Sequence, residues 1–304
     1  MNPDFRSGFV AIVGCPNVGK STLINALLGQ KVAAVSPKAQ TTRRRQLGIL
    51  TSDDMQMVFV DTPGIHNPRH ELGKFLNQEA EEALLGVDVV LYLVDASEEP
   101  ADEDKWIAPR LSRLSRRTPL VLACNKIDRI PAEALAPQLA AYQALVPQDA
   151  QMFPISATTG EGLAALLTAL TSCLPSRKPE YSAEQITDLY ERDIAAELIR
   201  EACLEKLRDE VPHGVAVRIN EFTERGEGGA YIAATIFIER ESQKGIVIGR
   251  GGEMLKQIGS AARGKIEEMS GRKVFLELRV KVLKDWRKDE QAMRRLGYKI
   301  KKKK

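Results

Sequence analysis

The sequence predicts an α/β chain in two parts, a doubly wound and mostly parallel sheet followed by a smaller α+β domain. Three observations predict it. Short apolar runs alternate with amphipathic stretches from residue 9 to about 174, the pattern of strands joined by crossover helices. A proline- and charge-rich segment, PSRKPEYSAEQIT from Pro175 to Thr187, then breaks that pattern. Beyond it the order becomes helix, strand, strand, helix, helix, strand. The expected boundaries are 1–175, a linker at 176–187, and 188–304.

The first run, FVAIV, leads straight into GCPNVGKS at Gly14–Ser21, a full match to GxxxxGK(S/T) between a strand and a helix start. Glycines let the backbone wrap around phosphates, and the helix N-terminus aims N–H groups at them. Gly14, Cys15, Pro16, Asn17, Val18, Gly19, Lys20, Ser21 and Thr22 therefore form the expected phosphate-binding stretch, with Lys20 on the β and γ oxygens and Ser21 on magnesium.

The run MQMVFV delivers Asp61-Thr62-Pro63-Gly64 and then Ile65. A carboxylate at a strand's carboxyl end can hold magnesium through water, and the Gly64 N–H can reach a γ-phosphate. After PLVLAC comes NKID, with Asn125, Lys126 and Asp128. The Asp128 carboxylate can accept from both N1–H and the exocyclic amine of guanine, a donor pair that adenine lacks, which selects GTP over ATP. After MFPI, Ser156 and Ala157 are expected to offer a backbone N–H to the guanine O6. Between the first two motifs, the polar stretch KAQTTR at Lys38–Arg43 holds a threonine that binds magnesium only while a γ-phosphate is present. Thr42 is favoured over Thr41.

In the C-terminal part, Ile246–Gly252 reads IVIGRGG, a GxxG tetrapeptide between two helices. Gly249, Gly251 and Gly252 allow close approach to a sugar-phosphate chain, and Arg250 can neutralise a phosphate. Ile246, Ile248 and Ile258 can line an apolar groove for about four unstacked bases. Lys244 and Lys256, with Arg263 and Lys265, are expected phosphate contacts. The strand Val274–Val282 alternates apolar residues with Phe275, Glu277, Arg279 and Lys281, one face for a core and one for water or ligand. Trp286 and Phe275 are aromatic candidates for stacking on bases, with core packing the expected role of each. His66 and His70 follow DTPG and read as parts of a mobile switch loop rather than catalytic bases.

Composition limits the alternatives. A chain of 304 residues with 43% hydrophobic content suffices for two cores. Cys15, Cys124, Cys173 and Cys203 form no CxxC pair, and three histidines are too few to suggest zinc, so reduced thiols in the cytoplasm are expected. No run reaches the roughly 18–20 apolar residues that span a bilayer. The net charge of +3 conceals an asymmetry: Arg272–Lys304 holds 14 lysines and arginines against 4 acidic residues, leaving −7 on residues 1–271. Such a basic end, finishing in Lys301–Lys304, expects a polyanion, either nucleic acid or an anionic membrane.

Together, GCPNVGKS, AQTTR, DTPG, NKID and ISA resemble the five G motifs of the bacterial translation-factor-related GTPases. Their union with VIGRGG resembles the Era-type GTPases over essentially the whole chain. The resemblance implies a Ras-like P-loop G domain followed by a type II KH domain, hydrolysis of GTP to GDP and phosphate, and Mg2+ held through Ser21, Thr42 and Asp61. It also implies binding to the 3′ end of small-subunit (16S) ribosomal RNA and a role in maturation of the 30S subunit. Lys20, Asn17, Thr42 and Gly64 become the expected catalytic set. Asn17 resembles the asparagine that holds a potassium ion beside the phosphates in related GTPases. Ile65 departs from the Ras-like pattern, which places a water-orienting glutamine there, so slow intrinsic hydrolysis is expected. The chain is expected to act as a monomer, and peripheral contact of its basic end with the inner face of the cell membrane is a second expectation.

Overall fold

The computed structural model describes residues 4–35, 42–43, 45–64, 71–114, 118–225 and 229–298. Ile65, His66, His70, Lys38–Thr41 and Lys301–Lys304 lie outside them. The chain divides into two compact units between Asp188 and Leu189, with residues 34–35 and 71–75 grouped with the second.

The first unit runs β1 (Arg6–Val13), α1 (Lys20–Leu28), β2 (Gln46–Thr51), β3 (Met55–Asp61), α2 (Glu71–Glu82), β4 (Val89–Asp95), α3 (Asp102–Leu114), β5 (Leu120–Asn125), α4 (Ala132–Gln143), β6 (Gln151–Pro154) and α5 (Leu163–Cys173). Six strands form one sheet in the order β2-β3-β1-β4-β5-β6, parallel except for β2 against β3. β1, β3, β4 and β5 are buried almost throughout, which is why they read as unbroken apolar runs. The edge strand β2 (QLGILT) lacks such a run and escapes a search for apolar stretches. The register places Ile12 beside Asp61, Asp95 beside Asn125, and Cys124 beside Pro154. All the loops bearing the sequence motifs therefore leave one end of the sheet.

The segment expected to be a linker is laced onto this unit. The Ser7 N–H donates to the Pro175 carbonyl at 3.1 Å. Arg177 pairs with Asp88 and donates to the Ser7 carbonyl. The fully buried Gln56 receives the N–H groups of Glu180 and Tyr181 and donates to the Tyr181 carbonyl at 2.9 Å. The β2 amides of Leu47 and Ile49 donate to Asp188 and to the Ile186 carbonyl, both at 2.8 Å. Proline and charge do break the helix–strand alternation, but the segment's backbone groups find partners on the sheet rather than in water.

The second unit runs α6 (Glu191–Lys206), β7 (Ala216–Arg225), β8 (Gly229–Ile238), α7 (Glu241–Ile248), α8 (Glu253–Ser270), β9 (Lys273–Val282) and α9 (Glu290–Arg295). Up to β9 this is the expected order. The sheet is β7-β8-β9, with β8 antiparallel to β7 and parallel to β9. Leu198, Ile199, Ile232, Ile236, Val247 and Ile266 form its core. Trp286 is fully buried, its indole N–H donating to the Gly214 carbonyl at 2.8 Å. Phe275 departs from the expected core packing: alternation along β9 turns it away from the face that holds Val274, and it is 64% exposed.

Candidate nucleotide site and nucleic-acid groove

β1 ends at Val13, and Gly14–Gly19 turn the chain into α1 at Lys20. A Cβ on Gly14 would lie 2.1 Å from the Leu93 carbonyl oxygen, a backbone atom of β4 that cannot yield, so only glycine passes here. Asn17 stands exposed with φ +66°, in the left-handed region that asparagine tolerates better than most residues. Lys20 is buried, its ammonium donating to the carbonyls of Gly14 (3.1 Å) and Cys15 (2.7 Å). Burial lowers its pKa to about 8, against the opposing pull of Asp61.

The three expected metal ligands converge. The Asp61 Oδ2 accepts from Ser21 Oγ at 3.0 Å and Thr42 Oγ1 at 3.2 Å, and the two hydroxyls lie 2.9 Å apart. Gln46, absent from the sequence-based set, adds a bond from Nε2 at 3.1 Å. Asp61 is fully buried. That burial pushes its carboxyl pKa up, with Lys20 the largest opposing influence. Its Oδ1 is buried with no hydrogen-bond partner among the described residues. An orphaned carboxylate oxygen beside two hydroxyls is a hard, all-oxygen donor set that suits magnesium. Thr62 turns inward, its hydroxyl donating to the Ile12 carbonyl at 2.7 Å, and Pro63 is buried beside it.

Asn125 is the brace of the guanine side. Its Nδ2 donates to the Val18 carbonyl at 2.8 Å and its Oδ1 accepts the Ala157 N–H at 2.9 Å, joining three motifs through one amide. Lys126, at φ +68°, pairs with Asp95. Asp128 is exposed on the short 3₁₀ turn Ile127–Arg129. At the end of β6 the Ser156 N–H is donated to the Glu161 carbonyl at 3.0 Å and the Ala157 N–H to Asn125 Oδ1 at 2.9 Å, so a guanine O6 would have to replace one of these partners. The sequence cannot reveal that a side-chain amide 32 residues away accepts the Ala157 N–H.

In the second unit Gly249, Gly251 and Gly252 all have positive φ, +75°, +60° and +84°, in the turn between α7 and α8, and Arg250 is exposed. An open groove runs beside it, lined by Gly252, Leu255, Lys256, Gly259, Ser260 and Arg263 along α8 and by Leu276 and Leu278 of β9. Gly252, Lys256 and Arg263 are where the sequence expects them. Ile246 is 51% exposed, while Ile248 and Lys244 are half-buried; none of the three lines the groove. Ile258 must be corrected: it is fully buried in the core with Ala262 and Ile266, because its helical spacing from them puts it on the inner face. Lys265 is likewise committed, its ammonium held by Glu201 at 2.7 Å and by Glu205. Leu255, Gly259 and Ser260 were missed, although they follow Gly252 at the three- and four-residue spacing of one helix face.

The family described as "50S ribosome-binding GTPase" matches residues 9–126, and the family described as "KH domain" matches residues 210–287. The chain is 48% identical over 301 residues to the GTPase Era of Lacticaseibacillus paracasei, covering 98% of each. The chain belongs to the Era family of GTPases. It is 46% identical to the GTPase Era of Mycolicibacterium smegmatis, over 97% of this chain and 99% of that one. A crystal structure of Aquifex aeolicus Era bound to GDP and aluminium fluoride superposes with a TM-score of 0.92 at 40% identity, covering 97% of this chain and all of the other. An Era crystal structure in complex with MgGDPNP and nucleotides 1506–1542 of 16S ribosomal RNA matches with the same score, identity and coverage. As an Era-family member the chain is a GTPase with a Ras-like G domain followed by a KH domain.

Proposed function

We propose that this Era-family GTPase binds the 3′ region of 16S ribosomal RNA in its KH groove and serves as a nucleotide-controlled checkpoint in assembly of the 30S subunit. The observation that carries the reading is the likeness, over 97% of the chain, to an Era structure holding MgGDPNP and 16S nucleotides 1506–1542. The groove itself supports it. Leu255, Leu276 and Leu278 offer apolar contact to bases, while Lys256, Arg263 and Arg250 flank them with positive charge suited to phosphates.

In the nucleotide site the chain's own groups divide the work of phosphoryl transfer, which is chiefly positioning and charge stabilisation. Lys20, already buried and cationic below pH 8, meets phosphate oxygens by exchanging two loop carbonyls for them. Ser21, Thr42 and Asp61 would hold magnesium, which supplies charge neutralisation at the phosphates when bound. Thr42 would join that cluster only while a γ-phosphate is present, which ties its contact with magnesium to the nucleotide state. Asn17, at the exposed crest of the loop, supports a further dependence on potassium, which equal hydrolysis rates in potassium and sodium buffers would exclude.

A checkpoint requires that GTP and GDP differ in their effect on RNA affinity. The full chain is titrated at fixed salt with a labelled single strand copying the 16S 3′ end, in GDP and in a non-hydrolysable GTP analogue, against a scrambled strand. Selective binding that differs between nucleotides is the expected result; binding equal to the scrambled strand would overturn the RNA assignment. Asp128→Asn should lose guanine selectivity and keep RNA binding, and Gly251→Asp should do the reverse.

A further inference from the structure

Gln46 and Asp61 are register partners at one end of the antiparallel pair β2 and β3. Side chains of such partners stand on the same face of a sheet, within reach of one another. Here the contact is a hydrogen bond, Gln46 Nε2 donating to Asp61 Oδ2 at 3.1 Å. Asp61 is fully buried and Gln46 only 8% exposed, so water does not compete for the amide as it would at the surface.

Three donors meet at Asp61 Oδ2: Ser21 Oγ at 3.0 Å, Thr42 Oγ1 at 3.2 Å and the Gln46 amide. Two of the three have another duty. The hydroxyl oxygens of Ser21 and Thr42 are the expected magnesium ligands, and Thr42 would serve only beside a γ-phosphate. Gln46 has no such commitment, and its strand is held along both edges. One edge pairs with β3 from Gln46 to Thr51. On the other, Asp188 and the Ile186 carbonyl accept the Leu47 and Ile49 N–H groups, both at 2.8 Å. The amide is thus carried on a fixed backbone.

What a fixed donor does here follows from the freedom of a carboxylate. The torsion that turns the group is broad and roughly two-fold, so the course of β3 alone does not decide which oxygen faces the metal. A donor held at Oδ2 does decide it. It leaves Oδ1, buried and without a hydrogen-bond partner among the described residues, as the oxygen open to a magnesium-bound water. Groups that orient metal ligands in this manner typically change metal affinity by about 10–100-fold.

We propose that Gln46 is a positioning residue of the magnesium site, its amide pinning Asp61 through Oδ2 so that the cation is held more tightly beside the nucleotide. The proposal rests on the reading of Ser21, Thr42 and Asp61 as that site, and the test separates the two. Release of N-methylanthraniloyl-GDP from the full chain is followed by fluorescence as free magnesium is raised from zero, in excess chelator, to saturation. With GDP bound, Thr42 lacks its γ-phosphate and the weight on Gln46 is greatest. Wild-type release should slow as magnesium rises; release independent of magnesium would overturn the magnesium reading itself. Gln46→Met keeps the length of the side chain and loses the donor. Its half-saturating magnesium should rise about tenfold, while its release in chelator keeps the wild-type rate. GTP turnover should need correspondingly more magnesium and recover when magnesium is in excess. Gln46→Leu should show the same shift, so a folding defect in one variant leaves the other to decide. Electron paramagnetic resonance of Mn2+, which the same oxygen ligands accept, should report a matching loss of bound metal in the GDP complex. A wild-type magnesium midpoint in these variants, unchanged Mn2+ binding, or release hastened equally with and without magnesium, as a merely structural role would give, would overturn the assignment of Gln46.

Discussion

The thiol of Cys15 donates to the carboxylate of Asp104 at 3.2 Å, beneath the phosphate loop. The same Asp104 oxygen accepts the Tyr92 hydroxyl at 3.0 Å, and the second oxygen accepts the Ala101 N–H at 3.1 Å, at the start of α3. One buried carboxylate thus fastens the loop to β4 and to a helix entrance. Burial, aided by Asp104, holds the thiol pKa far above the ordinary cysteine range.

From this we expect Cys15→Ala to cost about 1–3 kcal/mol of stability, because a buried carboxylate loses a donor, and Cys15→Ser to recover most of it. Thermal melts of the nucleotide-free chain check this. Iodoacetamide should modify the half-buried Cys173 well before Cys15, as mass spectrometry of partial digests would reveal.

Asp61→Asn should remove the charge that gathers Ser21, Thr42 and Gln46. Magnesium-dependent GTP hydrolysis is expected to fall by about 10–100-fold, with a matching loss of the stabilisation that magnesium adds to bound nucleotide. Turnover and nucleotide-dependent melting across a magnesium titration measure both.

Lys20 gives a pH dependence of definite sign. Phosphates select the protonated ammonium, and the free chain releases that proton near pH 8, so nucleotide affinity falls as pH rises. Between pH 7 and 8.5 the fall should be about fourfold; a Lys20→Met variant should bind weakly with no such slope. The charged, buried lysine also costs stability below its folded pKa, a cost relieved as pH rises from about 8 toward the ordinary 10.5.

Ile258→Ala should destabilise the KH unit by about 2–5 kcal/mol, the usual cost of emptying a filled core position. Leu278→Ala, in the groove wall, should weaken RNA binding with a smaller loss of stability. Denaturant melts and RNA titrations of the two variants, compared below the melting range, separate packing from contact.

The motifs of the nucleotide site are legible in the sequence because their residues are dictated by chemistry at fixed chain positions. Ser21, Thr42 and Asp61 met within 3.2 Å although they come from three separate stretches. The parallel sheet explains why: its strands all deliver their loops to one end. What escaped was set by partners distant in sequence. Gln46 reaches Asp61 only because β2 runs antiparallel to β3, and Asn125 accepts the Ala157 N–H only because β5 lies beside β6. In the KH unit the GxxG turn was legible from its glycines. Which α8 residues face the groove depends on helix phase against β9, and that phase sent Ile258 inward and Leu255 outward.

The strap from Pro175 to Asp188 also decides where this protein can safely be cut. β2 is the outermost strand of a six-stranded sheet, and its Leu47 and Ile49 amides are occupied only by groups beyond residue 185. A G domain truncated at Pro175, the point where the alternating pattern ends, would leave these two amides without those partners along the outer edge of β2, an open template for strand-to-strand self-association. The same domain carried through Asp188 keeps that border sealed, and gel filtration of the two fragments should show the shorter one aggregating.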